Sequence, residues 1–222
     1  METIALPKIP LTLAERLTGP VFLRVEATWD EYVELLDEVS YPIFYLNHSI
    51  ISIMGQASIP HEVLVSTLTY LMNRHFFDLP DYAVMGSNVL IYVEELQEAF
   101  NADITVLRGE PDSQDLPRTI GPGKYSPKTT LKNPFMVVEV LSPSTAHFDQ
   151  NEKLASYIHI PSLRHILFVH QGRLLIHAYS RTDKPGQWLD SWFESLNDVI
   201  TLDGLTLSVR EIYHKTLFAA PQ

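Results

Sequence analysis

The sequence predicts an α/β chain, a mixed sheet flanked by helices. Three observations carry that reading. The run Phe135-Met136-Val137-Val138-Glu139-Val140-Leu141 is short, apolar and β-branched, and it lies between Pro134 and Ser142-Pro143-Ser144-Thr145. Such a run reads as a strand buried on both faces, as central strands of α/β sheets are. Stretches of helical period alternate with runs of strand type along the chain, the order that builds a sheet with helices on it. With 222 residues, 45% of them hydrophobic, the chain can bury a substantial core as one domain.

The elements follow in order. Thr28-Trp29-Asp30-Glu31 has the form of a capping box and predicts a helix to about Glu38. Strands are expected at about Ile43–Asn47 and Ile50–Met54, with a hairpin turn between them. Pro60 suits a first helical turn, and Leu64, Leu68, Leu71, Met72 and His75 keep helical spacing to about Phe76. Tyr82–Met85 and Asn88–Val93 are strand candidates on either side of Gly86, and Ala102–Leu107 is strand-like with Asp103 at its start. After the Phe135–Leu141 strand, Asp149 and Glu152 have capping-box spacing and predict a helix through Ile158. His165–His170 and Leu174–Tyr179 form a hairpin around Gln171-Gly172, and Ser208 caps a short final helix. No internal repeat or linker points to a second domain.

Glu139 is the anomaly in this pattern. An unpaired buried carboxylate costs several kcal/mol or shifts its pKa until it is neutral. A metal ion or a cationic partner compensates such a group; the alternative is a strand end whose Glu reaches water or pairs with an arginine. Asp149, Lys153 and Tyr157 fall at i, i+4 and i+8, on one face of the helix that starts past the end of the Glu139 strand. Lys153 can therefore come near that carboxylate, although an ordinary solvated pair with Asp149 is the bland alternative. Asp103, Glu139 and Lys153 give two acids and a base in chain order. Two carboxylates held together favour a divalent cation, and a nearby ammonium stabilises hydroxide generated on it.

Phe135 to Tyr157 resembles the signature of the Uma-two family of restriction-endonuclease-like proteins, within the PD-(D/E)XK nuclease superfamily. That signature is an apolar strand ending Glu-Val-Leu-Ser-Pro-Ser-Thr, then a helix with Asp, Lys and Tyr spaced by four. Thr28 to Tyr32, Phe44 to Met54, Pro60-His61-Glu62, Leu202 to Leu205 and Glu211-Ile212-Tyr213 extend the similarity over most of the chain. The resemblance implies a restriction-endonuclease-like core over residues 1–222, with 1–24 as an N-terminal extension. It implies Asp103 as the first catalytic, metal-binding carboxylate, Glu139 as the second, and Lys153 as the lysine. That lysine usually follows the second acid by two residues, where this chain has Leu141. Glu62 is the implied early-helix acid, with His61 as the other candidate for that part. Two departures stand out: Ala102 replaces the proline common before the first acid, and Asn47-His48-Ser49 replaces an Asp-Gly turn.

Between the two acids, residues 116–133 contain Arg118, Lys124, Lys128 and Lys132 and no acidic residue, while the whole chain carries a net charge of −11. A basic, Pro- and Gly-rich segment beside a metal site is a candidate phosphate-backbone contact, and Tyr125 within it could stack on a base. A solvated surface loop is the alternative. The overall acidity argues against strong sequence-blind DNA binding, so any nucleic-acid contact is expected to be local or metal-assisted. The absence of cysteine excludes disulfides and thiolate metal ligands. The nine histidines lack zinc spacing, Ser142 and Ser144 lack a nucleophile-elbow context, and Gly121-Pro122-Gly123-Lys124 lacks P-loop spacing. With no basic-then-apolar leader and no apolar run near the ~20 residues of a bilayer span, a cytoplasmic protein without a membrane partner is expected.

Two function classes follow. One is an Mg²⁺- or Mn²⁺-dependent endonuclease, with DNA as its partner and a homodimer as a candidate assembly. The other is a non-catalytic binding or regulatory module on the same fold. Glycoside hydrolysis by paired carboxylates is a third chemistry, and it requires a sugar cleft.

Overall fold

The computed structural model describes residues 8–55, 58–115, 129–143 and 145–219. Its first elements are α1 (Leu13–Leu17), β1 (Phe22–Glu26), α2 (Trp29–Glu38), β2 (Phe44–Leu46) and β3 (Ser49–Ile53). Next come α3 (Ile59–Phe76), β4 (Tyr82–Gly86), β5 (Leu90–Val93), β6 (Glu98–Asn101), β7 (Ile104–Arg108), β8 (Ser113–Asp115), β9 (Thr129–Leu131) and β10 (Pro134–Leu141). A π-helical turn (Phe148–Lys153) runs into α4 (Leu154–Tyr157). The chain ends with β11 (His165–His170), β12 (Ile176–Arg181), β13 (Trp188–Phe193), β14 (Val199–Leu202), β15 (Leu205–Ser208) and α5 (Val209–Ile212).

Local sequence sets many of these elements. Thr28 accepts from the Glu31 amide while the Glu31 carboxylate reaches back to the Thr28 amide, so the capping box of α2 is complete. Asn47 and His48, at φ +50° and +51°, make the two-residue turn that fits the twist of the β2–β3 hairpin. Ser58 caps α3, and Pro60 sits in its first turn.

The mixed-sheet expectation holds, with the strands divided between two mixed sheets and a separate β14–β15 hairpin. One sheet has the order β1-β3-β2-β6-β5-β9-β8, the other β13-β12-β11-β10-β7-β4. In the second, β10 runs parallel to β11 and antiparallel to β7, and every one of its residues is buried. Alternation along β10 explains this. Met136, Val138 and Val140 meet Leu64, Leu68 and Met72 of α3, while Val137 and Leu141 face a second cluster with Phe148, Tyr157, Phe100 and Ile91. That second cluster fills the space between the two sheets. Phe76, rather than the half-buried His75, is the last core residue of α3.

Residues 8–26, which include most of the expected extension, are bound into the first sheet: β1 pairs with β3, and the buried Arg16 guanidinium bonds the carbonyls of Pro20, Val21 and Ser52. α1 and the strands β1, β6, β8, β9, β13, β14 and β15 are elements that the residue pattern did not predict. Among the described residues, no helix is long and apolar enough to cross a membrane.

Candidate active site

The β7–β10 ladder ends at the pair Ile104–Val138, which brings Asp103 level with Glu139. One residue past the last pair, the Asp103 side chain takes over the ladder's role: Oδ2 accepts from the Val140 amide at 2.7 Å. The first carboxylate is thereby fixed to the strand that carries the second.

Glu139 is 2% exposed. Its Oε1 accepts from Lys153 Nζ at 2.9 Å and from the Tyr157 hydroxyl at 2.6 Å. Both donors come from the helix after β10, and Asp149, one turn earlier, accepts from Lys153 at 3.0 Å. The spacing of four therefore places Asp149, Lys153 and Tyr157 over one buried point, as expected. A capping box does not produce this helix. It is entered from the Ser-Pro-Ser-Thr loop, with the Ala146 amide on the Ser142 carbonyl and the Asp149 amide on the Thr145 carbonyl. Asp149 lies inside the first turn with its carboxylate drawn to Lys153, and Glu152 is drawn to Arg24 and Asn47. Tertiary partners thus override the local capping pattern. Such widened turns are frequent at functional sites.

The ammonium of Lys153 has three protons and three acceptors: Glu139, Asp149 and the Asn101 carbonyl at 2.8 Å. Burial disfavours its charge, but Asp149, Glu139 and Asp103 outweigh burial, and its pKa moves up from the usual lysine value. Burial pushes the Glu139 carboxyl up to about 8; Lys153 opposes the shift, and Asp149 and Asp103 add to it. Burial also raises the Tyr157 hydroxyl well above its ordinary value, so it stays a donor.

His61, in the first turn of α3, sits with Nε2 at 3.4 Å from Asp103 Oδ2 and Nδ1 at 3.3 Å from Glu62 Oε1. Its pKa is raised, chiefly by the hydrogen bond to Asp103 and against burial. Of the two early-helix candidates, His61 contacts Asp103, while the exposed Glu62 reaches it only through His61. Lys132 contacts Glu94 at 3.4 Å and Asp112 at 3.6 Å. Arg118, Lys124, Tyr125 and Lys128 lie outside the described residues.

Asp103, Glu139 and Lys153 therefore meet at the end of two adjacent strands. Asp149, Tyr157 and His61 join them, residues whose spacing or proximity is legible in the sequence but whose roles are not.

The chain is similar to two proteins of the cyanobacterium Synechocystis sp. One, sll1609, is 28% identical over 72% of this chain and 82% of its own length. The other, slr1290, is 29% identical over 74% of this chain and 80% of its own length. A crystal structure from Anabaena variabilis, titled as a "putative nuclease belonging to DUF820", shares the fold with a TM-score of 0.59. It is 14% identical and is matched over 92% of this chain and 98% of that one. The model of the Uma2 family, described as "Putative restriction endonuclease", matches residues 29–210, a span that contains Asp103, Glu139 and Lys153, and the chain belongs to that family.

Proposed function

We propose that this chain hydrolyses phosphodiester bonds in DNA with the help of a divalent cation, Mg²⁺ or Mn²⁺, held by Asp103 and Glu139. The observation that carries the reading is the convergence of a rigid buried carboxylate, a second carboxylate on the neighbouring strand and a buried ammonium. Carboxylate oxygens are the hard donors that Mg²⁺ takes, and the ion commonly uses one or two of them and keeps several waters. Glu139 and Asp149 both contact the single Lys153 ammonium, Asp103 adds its charge nearby, and a divalent cation would bring further positive charge to this group of acids. When bound, the ion would supply Lewis-acid stabilisation at a phosphoryl oxygen.

The chain's own residues do the rest. The strand holding Glu139 is packed on both faces, and the Tyr157 hydroxyl fixes its Oε1. The Val140 amide and His61 orient Asp103. Lys153 has every proton engaged, so it meets substrate by exchanging its Asp149 contact for a phosphate oxygen, where it stabilises the charge that builds in the transition state. Membership of a family described as restriction endonucleases supports DNA as the substrate. The direct test is conversion of supercoiled plasmid to nicked or linear forms by wild type and Asp103→Asn, with Mg²⁺, with Mn²⁺ and with a chelator. Cation-dependent cutting by wild type alone is expected.

One observation favours a non-catalytic module instead: among the described residues, no group of three His, Cys, Asp or Glu side chains is arranged to hold an ion. Intact plasmid under every cation would select that reading.

The cation's affinity should depend on pH in a defined direction. Binding needs the Glu139 carboxylate, and burial holds that group protonated up to about 8. Cation uptake below pH 8 must therefore release a proton. Affinity should rise about tenfold per pH unit toward 8 and flatten above it. Mn²⁺ titrations between pH 6 and 9 measure this, and an affinity flat across the range would remove Glu139 as a ligand.

The basic segment supplies a separate test of DNA contact. Replacing Lys124 and Lys128 with Ala should lower the salt dependence of binding by about one unit of log–log slope per lost phosphate contact, with little change in melting. An unchanged slope would mean that neither lysine meets a phosphate.

A further inference from the structure

We infer that Glu98, a second buried carboxylate, is a positioning residue that locks the lysine-bearing helix onto the strand leading to Asp103; this rests on the reading of Lys153 as part of the site. Glu98 lies on β6 and is 5% exposed. Its Oε1 accepts from the Asn47 amide at 2.9 Å, and its Oε2 accepts from the Ser156 hydroxyl. Each oxygen takes one donor, so the position uses two acceptors where Gln would offer one, which is a physical reason for Glu here.

The residues that follow Glu98 along β6 also reach the helix. Glu98 bonds Ser156, Phe100 meets the Tyr157 ring edge-on at 5.1 Å, and the Asn101 carbonyl accepts from Lys153. Alternation puts Glu98 and Phe100 on the same face of β6. Successive points of one four-residue strand thus hold Ser156, Tyr157 and Lys153 in place. Two residues beyond Asn101 the chain delivers Asp103. The turn before Ser156 is tied to the same sheet, because Glu152 accepts from Asn47 Nδ2 at 3.2 Å and pairs with Arg24. Asn47 is therefore held twice, by its amide on Glu98 and by its side chain on Glu152. β6 sets the distance between the lysine and the first carboxylate, and Glu98 is the only charged side chain of that strand.

A polar tie that served stability alone would lower melting without changing the surroundings of Lys153. The test reads those surroundings directly, as the rate at which acetic anhydride modifies Lys153 in the full-length chain, with exposed Lys184 as internal reference. Ser156→Ala removes the hydroxyl that meets Glu98. It should raise Lys153 labelling relative to Lys184 about tenfold and, on plasmid, lower turnover by a similar factor with KM unchanged. Glu98→Gln, with Ser156 intact, should keep most of the wild-type protection, since its carbonyl can still accept from Asn47 and its amide can donate to Ser156. Lys153 as protected in folded Ser156→Ala as in wild type would overturn the inference. So would labelling that rises only in step with a fall in melting temperature. Increased labelling in a protein that cuts no DNA would leave the lock standing and remove the nuclease reading; normal cutting with unchanged labelling would do the reverse.

Discussion

Lys153→Met is expected to lose about a hundredfold in plasmid cleavage while still taking up Mn²⁺ through Asp103 and Glu139. The substitution keeps the apolar stem and removes the charge and its three donors. Loss of one preorganised charged group at such a site costs on the order of 3 kcal/mol of transition-state stabilisation. Stability should fall as well, because Glu139 and Asp149 lose the cation they share. Removing one partner of a buried ion pair costs roughly 3–5 kcal/mol. The pH dependence separates the two effects. Burial raises the folded-state pKa of Glu139 from 4.5 to about 8, so folding takes up a proton between those values. The group's contribution to stability is fully present below pH 4.5 and is lost as pH rises through 8. Without Lys153 the folded pKa climbs further. The variant should then keep losing stability above pH 8, where wild type levels off, and the gap between them should narrow toward pH 5. Melting curves from pH 5 to 9 measure this. A pH-independent gap would mean that Lys153 does not hold the Glu139 charge.

Glu139→Gln should behave in the opposite sense. Burial already favours the neutral form of this side chain, and Gln is close in shape to the protonated acid. Melting near neutral pH should therefore change little and should improve above pH 8, where wild type holds an ionised carboxylate in the core. Cleavage should nevertheless fall by about a hundredfold or more, because a ligand to the cation is lost. Stability kept and activity lost would mark Glu139 as a functional rather than a structural carboxylate.

How far this was legible in sequence depended on the range of the interaction. Glu139 was visible as a charge inside a β-branched run, and Lys153 and Tyr157 followed from spacing by four on one helix face. The chain order of two acids and a base brought in Asp103. The helix start was misread, because Asp149 and Glu152 match a capping box in sequence while Lys153, Arg24 and Asn47 claim their carboxylates in space. Glu98 was invisible for a similar reason. It follows Glu94-Glu95-Leu96-Gln97 and reads as the end of a solvated acidic run, and pairing of β6 with β5 on one side and β2 on the other carries it into the interior. His61 and Glu62 are neighbours on α3, and the approach of Asp103 decides between them. The division of the strands into two sheets depends on pairings such as β2–β6 and β12–β13 between segments far apart or weakly patterned, which local period does not encode.

The most direct test of a cation-dependent site is a calorimetric titration of Mg²⁺ and Mn²⁺ into wild type and Glu139→Gln at pH 8, where the carboxylate is available. The expected result is saturable binding to the wild-type chain and its loss in Glu139→Gln, with both proteins folded. Wild type that takes up neither cation, or a Glu139→Gln variant that binds as well as wild type, would contradict a metal-dependent nuclease centre at Asp103, Glu139 and Lys153.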